Sequence, residues 1–213
     1  MNNQYRFFSG AYIVIATIFV LSLFFHPYPG SFLIKPLPVL IMAFLCWRNL
    51  EGTERILMTL GFIFSAMGDI FLDLDRVALF KQGLLSFLVT QILFSIAFYQ
   101  RRKINRTRLA AAGLVIIYAI IMLVLLWPHL GALRIPVMVY MLALTSMGVF
   151  AGLRDGPLSR VFLGGFLFVI ADSLIAVNKF LIEFDYSLVI IIGLYLAGQF
   201  FIGRGVLAGA TSD

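Results

Sequence analysis

Apolar runs recur along this chain, separated by short polar punctuation. They begin near positions 7, 32, 56, 78, 109, 134, 159 and 187 and end near 25, 47, 74, 99, 127, 152, 178 and 204. The segments HPYPGS, NLEGTE, WPHLGA and RDGP fall between them. At about 1.5 Å per residue, helices of this length cross most or all of a hydrocarbon layer about 30 Å thick. Lipid offers no partners to backbone polar groups, so long spanning runs fold as helices. The period-two alternation of barrel strands is not seen. The pattern predicts an all-α fold, a polytopic integral membrane bundle of about eight transmembrane helices. A single transmembrane domain over 1–213, with no linker and no soluble domain, is expected. The first run is too long for a signal-peptide core and lacks a small-residue cleavage site before His26-Pro27, so it is expected to be retained.

Composition agrees. Hydrophobic residues make up 62% of the chain and charged residues 12%, against about 25% charged in a soluble domain. Twenty-two phenylalanines suit lipid-facing helices and an acyl-chain slot equally. The net charge of +6 does not indicate a nucleic-acid partner, because the basic residues lie in short loops. Arg101, Arg102, Lys103, Arg106 and Arg108 form one cluster, which reads as a topology signal and a contact for anionic lipids. Eleven basic residues fall on the side of the termini and five on the other. That bias places both termini in the cytoplasm, with a bacterial inner membrane as the expected location. Cys46 is the single cysteine, so no disulfide forms within the chain, and His26 and His129 sit apart beside prolines. No metal site or cofactor is expected.

Against this background two aspartates stand out, Asp69 in SAMGDIFLDL and Asp172 in FVIADSLIAVNKF. An ionised carboxylate near the bilayer centre costs at least ~2.5 kcal/mol, so such a residue is a functional candidate by default. Both lie thirteen residues into spans that start on the cytoplasmic side, or about 20 Å in. They belong to the third and seventh spans, and the following spans carry Thr90-Gln91 and Gly198-Gln199. This weak similarity suggests a parallel four-plus-four repeat.

Lys35 enters from the outer side about 5 Å below the start of its span, beside two prolines that interrupt the first turn. Asn178, Lys179, Tyr195, Gln199 and Gln91 complete the polar set that could bind substrate or tune the carboxylates. Blander roles are equally open. Asp69 and Lys35 could simply hold helices together, Lys179 could snorkel, and the glutamines could bond helix to helix. Asp73 and Asp75 read as solvated interfacial carboxylates. Two buried carboxylates supply an acid and a base together. The chain carries no nucleophile motif, P-loop or dinucleotide fingerprint, which leaves acid–base hydrolysis of a membrane-soluble substrate as the simplest chemistry.

At these residues the chain resembles the lysoplasmalogenase family of YhhN-type membrane proteins. The resemblance rests on KPLPVL at 35–40, MGDIFLDL at 67–74, GLLSFLVTQILFSIAF at 83–98, FLGGFLFVIADSLIAVNKF at 162–180 and LYLAGQFFIG at 194–203. Three positions depart from it. Gln91 stands where histidine is expected, Phe94 where tyrosine is usual, and Ala171 where serine precedes the aspartate. The resemblance implies hydrolysis of the vinyl ether bond of a lysoplasmalogen, a lysophospholipid, to a fatty aldehyde and glycerophosphocholine or glycerophosphoethanolamine. Asp69 and Asp172 would be catalytic, with no metal or cofactor. Partners would be this substrate and membrane lipids; the sequence sets no oligomeric state. A lipid transporter or scramblase could use the same polar track. A Mg²⁺-dependent intramembrane transferase could use Asp69-x-x-x-Asp73, although Asp172 has no carboxylate four residues on.

Overall fold

The runs expected to cross a membrane are helical in the computed structural model, which describes residues 3–156 and 158–210. Among these residues the helices are α1 (Asn3–Ser22), α2 (Ser31–Ile34), α3 (Leu37–Asn49), α4 (Gly52–Leu74), α5 (Phe80–Gln100), α6 (Arg106–Leu126), α7 (Arg134–Leu153), α8 (Leu158–Phe180) and α9 (Ser187–Ala210). With α2 and α3 forming one segment, eight are long and apolar enough to span a bilayer. The chain is thus a polytopic all-α membrane protein.

The break in the second span follows from Pro36 and Pro38. Neither has an N–H to bond the carbonyl four residues back, at Phe32 and Ile34. The path stays close to helical nonetheless: Lys35 N donates to Ser31 O at 3.0 Å and Leu40 N to Pro36 O at 2.9 Å. Elsewhere the starts are better marked. Asn105 caps α6 by accepting from Arg108 N at 3.0 Å, the usual remedy for the unbonded donors of a first turn.

The helices fall into two compact units, residues 1–97 and 98–213. In the first, α3 packs on α1 and α4, and α2 on α4. Helices α4 and α5 run antiparallel with phenylalanines seated over glycines. Phe94 covers Gly61, Phe87 covers Gly68, and Leu72 covers Gly83. Phe62 and Phe94 meet edge to face at 5.0 Å. These buried rings fill the helix contact, where the small residues opposite create notches of ring size.

In the second unit α8 packs on α9 and α7, and α6 on α7. Backbones meet directly at the α8–α9 crossing: a Cβ on Gly164 would lie 2.5 Å from Ile202 N and 2.7 Å from Gly198 O. Small residues at such crossings let helices pack closely where lipid provides no hydrophobic drive. Met122, Leu126 and Leu130 form a cluster closed by Val137, Met141, Val177 and Phe180. By contrast, Ile116, Ile117, Ile120, Ile121 and Val124 are exposed along α6, as a lipid-facing stripe requires.

Gly164→Ala or Gly198→Ala should therefore destabilise the protein by about 1–3 kcal/mol through overpacking. Gly113→Ala, where an added Cβ meets nothing within 4 Å, should be neutral or stabilise by up to about 1 kcal/mol. Thermal unfolding in detergent distinguishes the two classes.

Candidate functional site

The polar residues of the first unit form a ladder between α2 and α4. Ser31 and Lys35 are four residues apart on one side of it, and Asp69 and Asp73 are four apart on the other. Positions i and i+4 lie one above the other on a helix face, so the two elements meet rung against rung. Lys35 Nζ lies 3.4 Å from Asp69 Oδ1, with both side chains almost fully enclosed. Ser31 Oγ donates a short hydrogen bond to Asp73 Oδ2. His26 Nε2 reaches Asp73 Oδ1 at 3.5 Å. Tyr12, itself buried, lies close enough to feel the charge of Asp69.

This corrects the reading of Asp73 as a solvated interfacial carboxylate: its side chain is 2% exposed. Its spacing from Asp69 turns it onto the same buried face. His26, which looked isolated in sequence, is its partner. Asp75 does remain at the surface, where it accepts from Val77 N at 2.9 Å and Ala78 N at 2.8 Å. Those two N–H groups hold its carboxyl below the usual range.

The order of contacts limits the chemistry of this cluster. Asp73 stands between Ser31 and His26, so the serine proton points at a carboxylate rather than at an imidazole. A nucleophilic serine needs a base positioned to take its proton and then be stabilised in turn, and the arrangement here is a different one. The Asp-x-x-x-Asp spacing that a Mg²⁺ site would use is met instead by Lys35, Ser31 and His26.

In the second unit Asp172 sits on α8, 7% exposed. Tyr140 of α7 donates its hydroxyl to Asp172 Oδ2 at 2.6 Å. Tyr140 was not singled out from sequence, because a lone tyrosine in the run PVMVYMLAL gives no sign that it faces a carboxylate. Tyr195 is buried edge to face against Phe168, with centroids 5.6 Å apart. Gln199 of α9 is fully enclosed. Asn178 has a local task, accepting from Phe184 N at 3.3 Å and tying off the end of α8. Lys179 is exposed at that same end. Gln91 is fully enclosed in the first unit, where its backbone carbonyl accepts from Ser95 Oγ at 2.7 Å.

The two aspartates thus differ in kind, one facing an ammonium and the other a phenol. Removing one partner of a buried ion pair costs about 3–5 kcal/mol because it strands a charge. Lys35→Met should lose about that much stability, and Lys35→Met with Asp69→Leu should regain most of it. Asp172→Asn keeps an oxygen that can accept from Tyr140, and should cost less than about 1.5 kcal/mol. Denaturation of the purified variants tests all three.

Comparison with known proteins adds the final observation. The YhhN family model matches residues 30–206, a range that holds Lys35, both aspartates and Gln199. The chain is 34% identical over 188 residues to the lysoplasmalogenase TMEM86A of Bos taurus, covering 81% of this chain and 76% of that protein. It is 35% identical over 186 residues to lysoplasmalogenase TMEM86A of Homo sapiens, covering 79% and 75%. A lysoplasmalogenase of Mycobacterium bovis is 31% identical over 164 residues, 74% of this chain and 63% of the relative. No solved structure matches. The family match extends across both compact units and both intramembrane aspartates, and the chain belongs to the YhhN family.

Proposed function

We propose that this protein is a lysoplasmalogenase-like hydrolase that cleaves the vinyl ether bond of a lysoplasmalogen within the membrane. The observation that carries this reading is the likeness, over about four fifths of the chain, to relatives named lysoplasmalogenase. Two buried aspartates in different settings supply groups that the reaction can use.

In the proposed mechanism a protonated carboxyl, assigned to Asp172, donates its proton to the distal vinyl carbon. The π electrons form the new C–H bond, leaving an oxocarbenium ion at the carbon attached to oxygen. The Asp69 carboxylate stabilises that cation, and Lys35 holds this carboxylate in place. Water adds to the cation and gives up a proton to a carboxylate, forming a hemiacetal. Its collapse breaks the carbon–oxygen bond, releases the glycerol hydroxyl and leaves a fatty aldehyde. Proton transfer by a positioned acid contributes about 10²–10⁴-fold, and a preorganised opposite charge adds to it in a water-poor setting.

The eight apolar spans support an integral membrane location. The excess of basic residues on one side supports an inner-membrane orientation with both termini in the cytoplasm. A fluorescent reporter that folds only in the cytoplasm, fused to the C-terminus, should be bright; a dark fusion that is nevertheless expressed would reverse the orientation.

Purified protein incubated with a lysoplasmalogen should release free aldehyde. Asp172→Asn and Asp69→Asn should each lower turnover by about 10²-fold or more, and Lys35→Met should lower it less. Folded Asn variants with undiminished turnover would remove the aspartates from the mechanism. Absence of aldehyde with the unaltered protein would remove the reaction itself.

A further inference from the structure

The end of the second unit that holds the basic cluster is built differently from a solvated charge run. Two loops there are fastened to each other by an antiparallel bridge between Arg102 and Arg154. Lys103 N donates to Leu153 O at 2.8 Å, and Asp155 N donates to Arg101 O at 2.6 Å. Between them lies a cavity of about 430 Å³ lined by Gln100, Arg101, Arg102, Arg154, Asp155 and Gly209, among others. That volume is in the range of small-ligand sites.

Two of its arginines, Arg102 and Arg154, are held in place. The Arg102 guanidinium lies 3.9 Å from the Tyr99 ring centroid and donates to Tyr99 O at 3.1 Å. Arg154 is 2% exposed and lies over Phe98 at 5.7 Å. The carboxylate in the wall, Asp155, is turned toward other cations. Its Oδ1 lies 3.4 Å from Arg108 Nη2 and 3.7 Å from Lys103 Nζ and accepts from Gly156 N at 2.9 Å. The Gly156 N–H first, and then the Lys103 and Arg108 charges, hold the Asp155 carboxyl below the usual range.

The cavity lining brings together the guanidinium groups of Arg101, Arg102 and Arg154 and the carboxylate of Asp155. Helices α5, α7 and α9 end at this cavity, and each C-terminus contributes roughly half a negative charge. Three such ends are too few to cancel the excess. Positioned guanidinium groups match the paired oxygens of a phosphate better than flexible ammonium groups do. The cavity also lies at the ends of helices long and apolar enough to span a membrane.

The geometry points to a phosphate-binding site in this cavity, formed by Arg101, Arg102 and Arg154, for a phosphate ester presented by a lipid headgroup or by a soluble molecule. Asp155 acts as its counterweight, drawing Lys103 and Arg108 away from the cavity.

The test uses the full chain in phosphatidylcholine nanodiscs. One arm adds phosphatidic acid to the bilayer; the other adds glycerol phosphate to the buffer. Bound phosphate is read by native mass spectrometry and by the shift in melting temperature. At least one arm should show saturable binding, and which one does so identifies the source. Arg101→Gln with Arg102→Gln, both at exposed positions, should weaken binding at least about tenfold. Arg154→Gln should do the same if it folds. Asp155→Asn should strengthen binding, whereas Arg106→Gln, outside the cavity wall, should leave it unchanged. No binding in either arm would overturn the proposal, as would an equal loss in Arg106→Gln and the double variant.

Discussion

A charge that enters lipid must bring its counter-charge with it, and the pairing of Lys35 with Asp69 is how the first unit meets that constraint. Neither side chain could stay buried and ionised alone. Their geometry dictates that α2 lie against α4, and the prolines after Lys35 follow from the same need. They interrupt the second span where it delivers an ammonium rather than another apolar turn. Such a pair is not by itself a source of stability, since desolvation offsets most of the attraction. What it supplies is specificity of placement.

Each unit meets the problem of its aspartate in a parallel way. Asp69 belongs to the third span and receives its partner from the second; Asp172 belongs to the seventh and receives Tyr140 from the sixth. The helix after each aspartate packs through glycine, α4 with α5 and α8 with α9. The division of the chain at 97/98 leaves four spanning segments to each unit. The partners nonetheless differ in chemistry. Lys35 brings an ammonium to Asp69, and Tyr140 brings a phenol to Asp172.

The spans were legible because lipid solvation imposes a crude rule on sequence: about twenty apolar residues, then a polar break. The intramembrane aspartates were legible for the same reason, as violations of it. What sequence did not reveal was partnership. Asp73 and His26 looked solvated and isolated because each sits near a span end, where polar residues are ordinary. Only the approach of α2 to α4 encloses them. Ser31 and Tyr140 have side chains common in any membrane helix, and their meaning lies wholly in what they face. Phenylalanine abundance left the role of the rings open; Phe87 and Phe94 fit notches left by glycines that carry no signal one at a time.

The rungs linking α2 to α4 also act as a ruler. Serine and lysine on one side and two aspartates on the other share a spacing of one helical turn, so both rungs close in only one alignment. Sliding α2 by a single turn, about 5.4 Å, would bring one donor to the wrong aspartate and take the other aspartate out of reach of both. Intermediate displacements would satisfy neither. The depth of Asp69 in the membrane is thereby set in discrete steps by its neighbours, rather than left to the soft balance of hydrophobic lengths against bilayer thickness that positions an ordinary span.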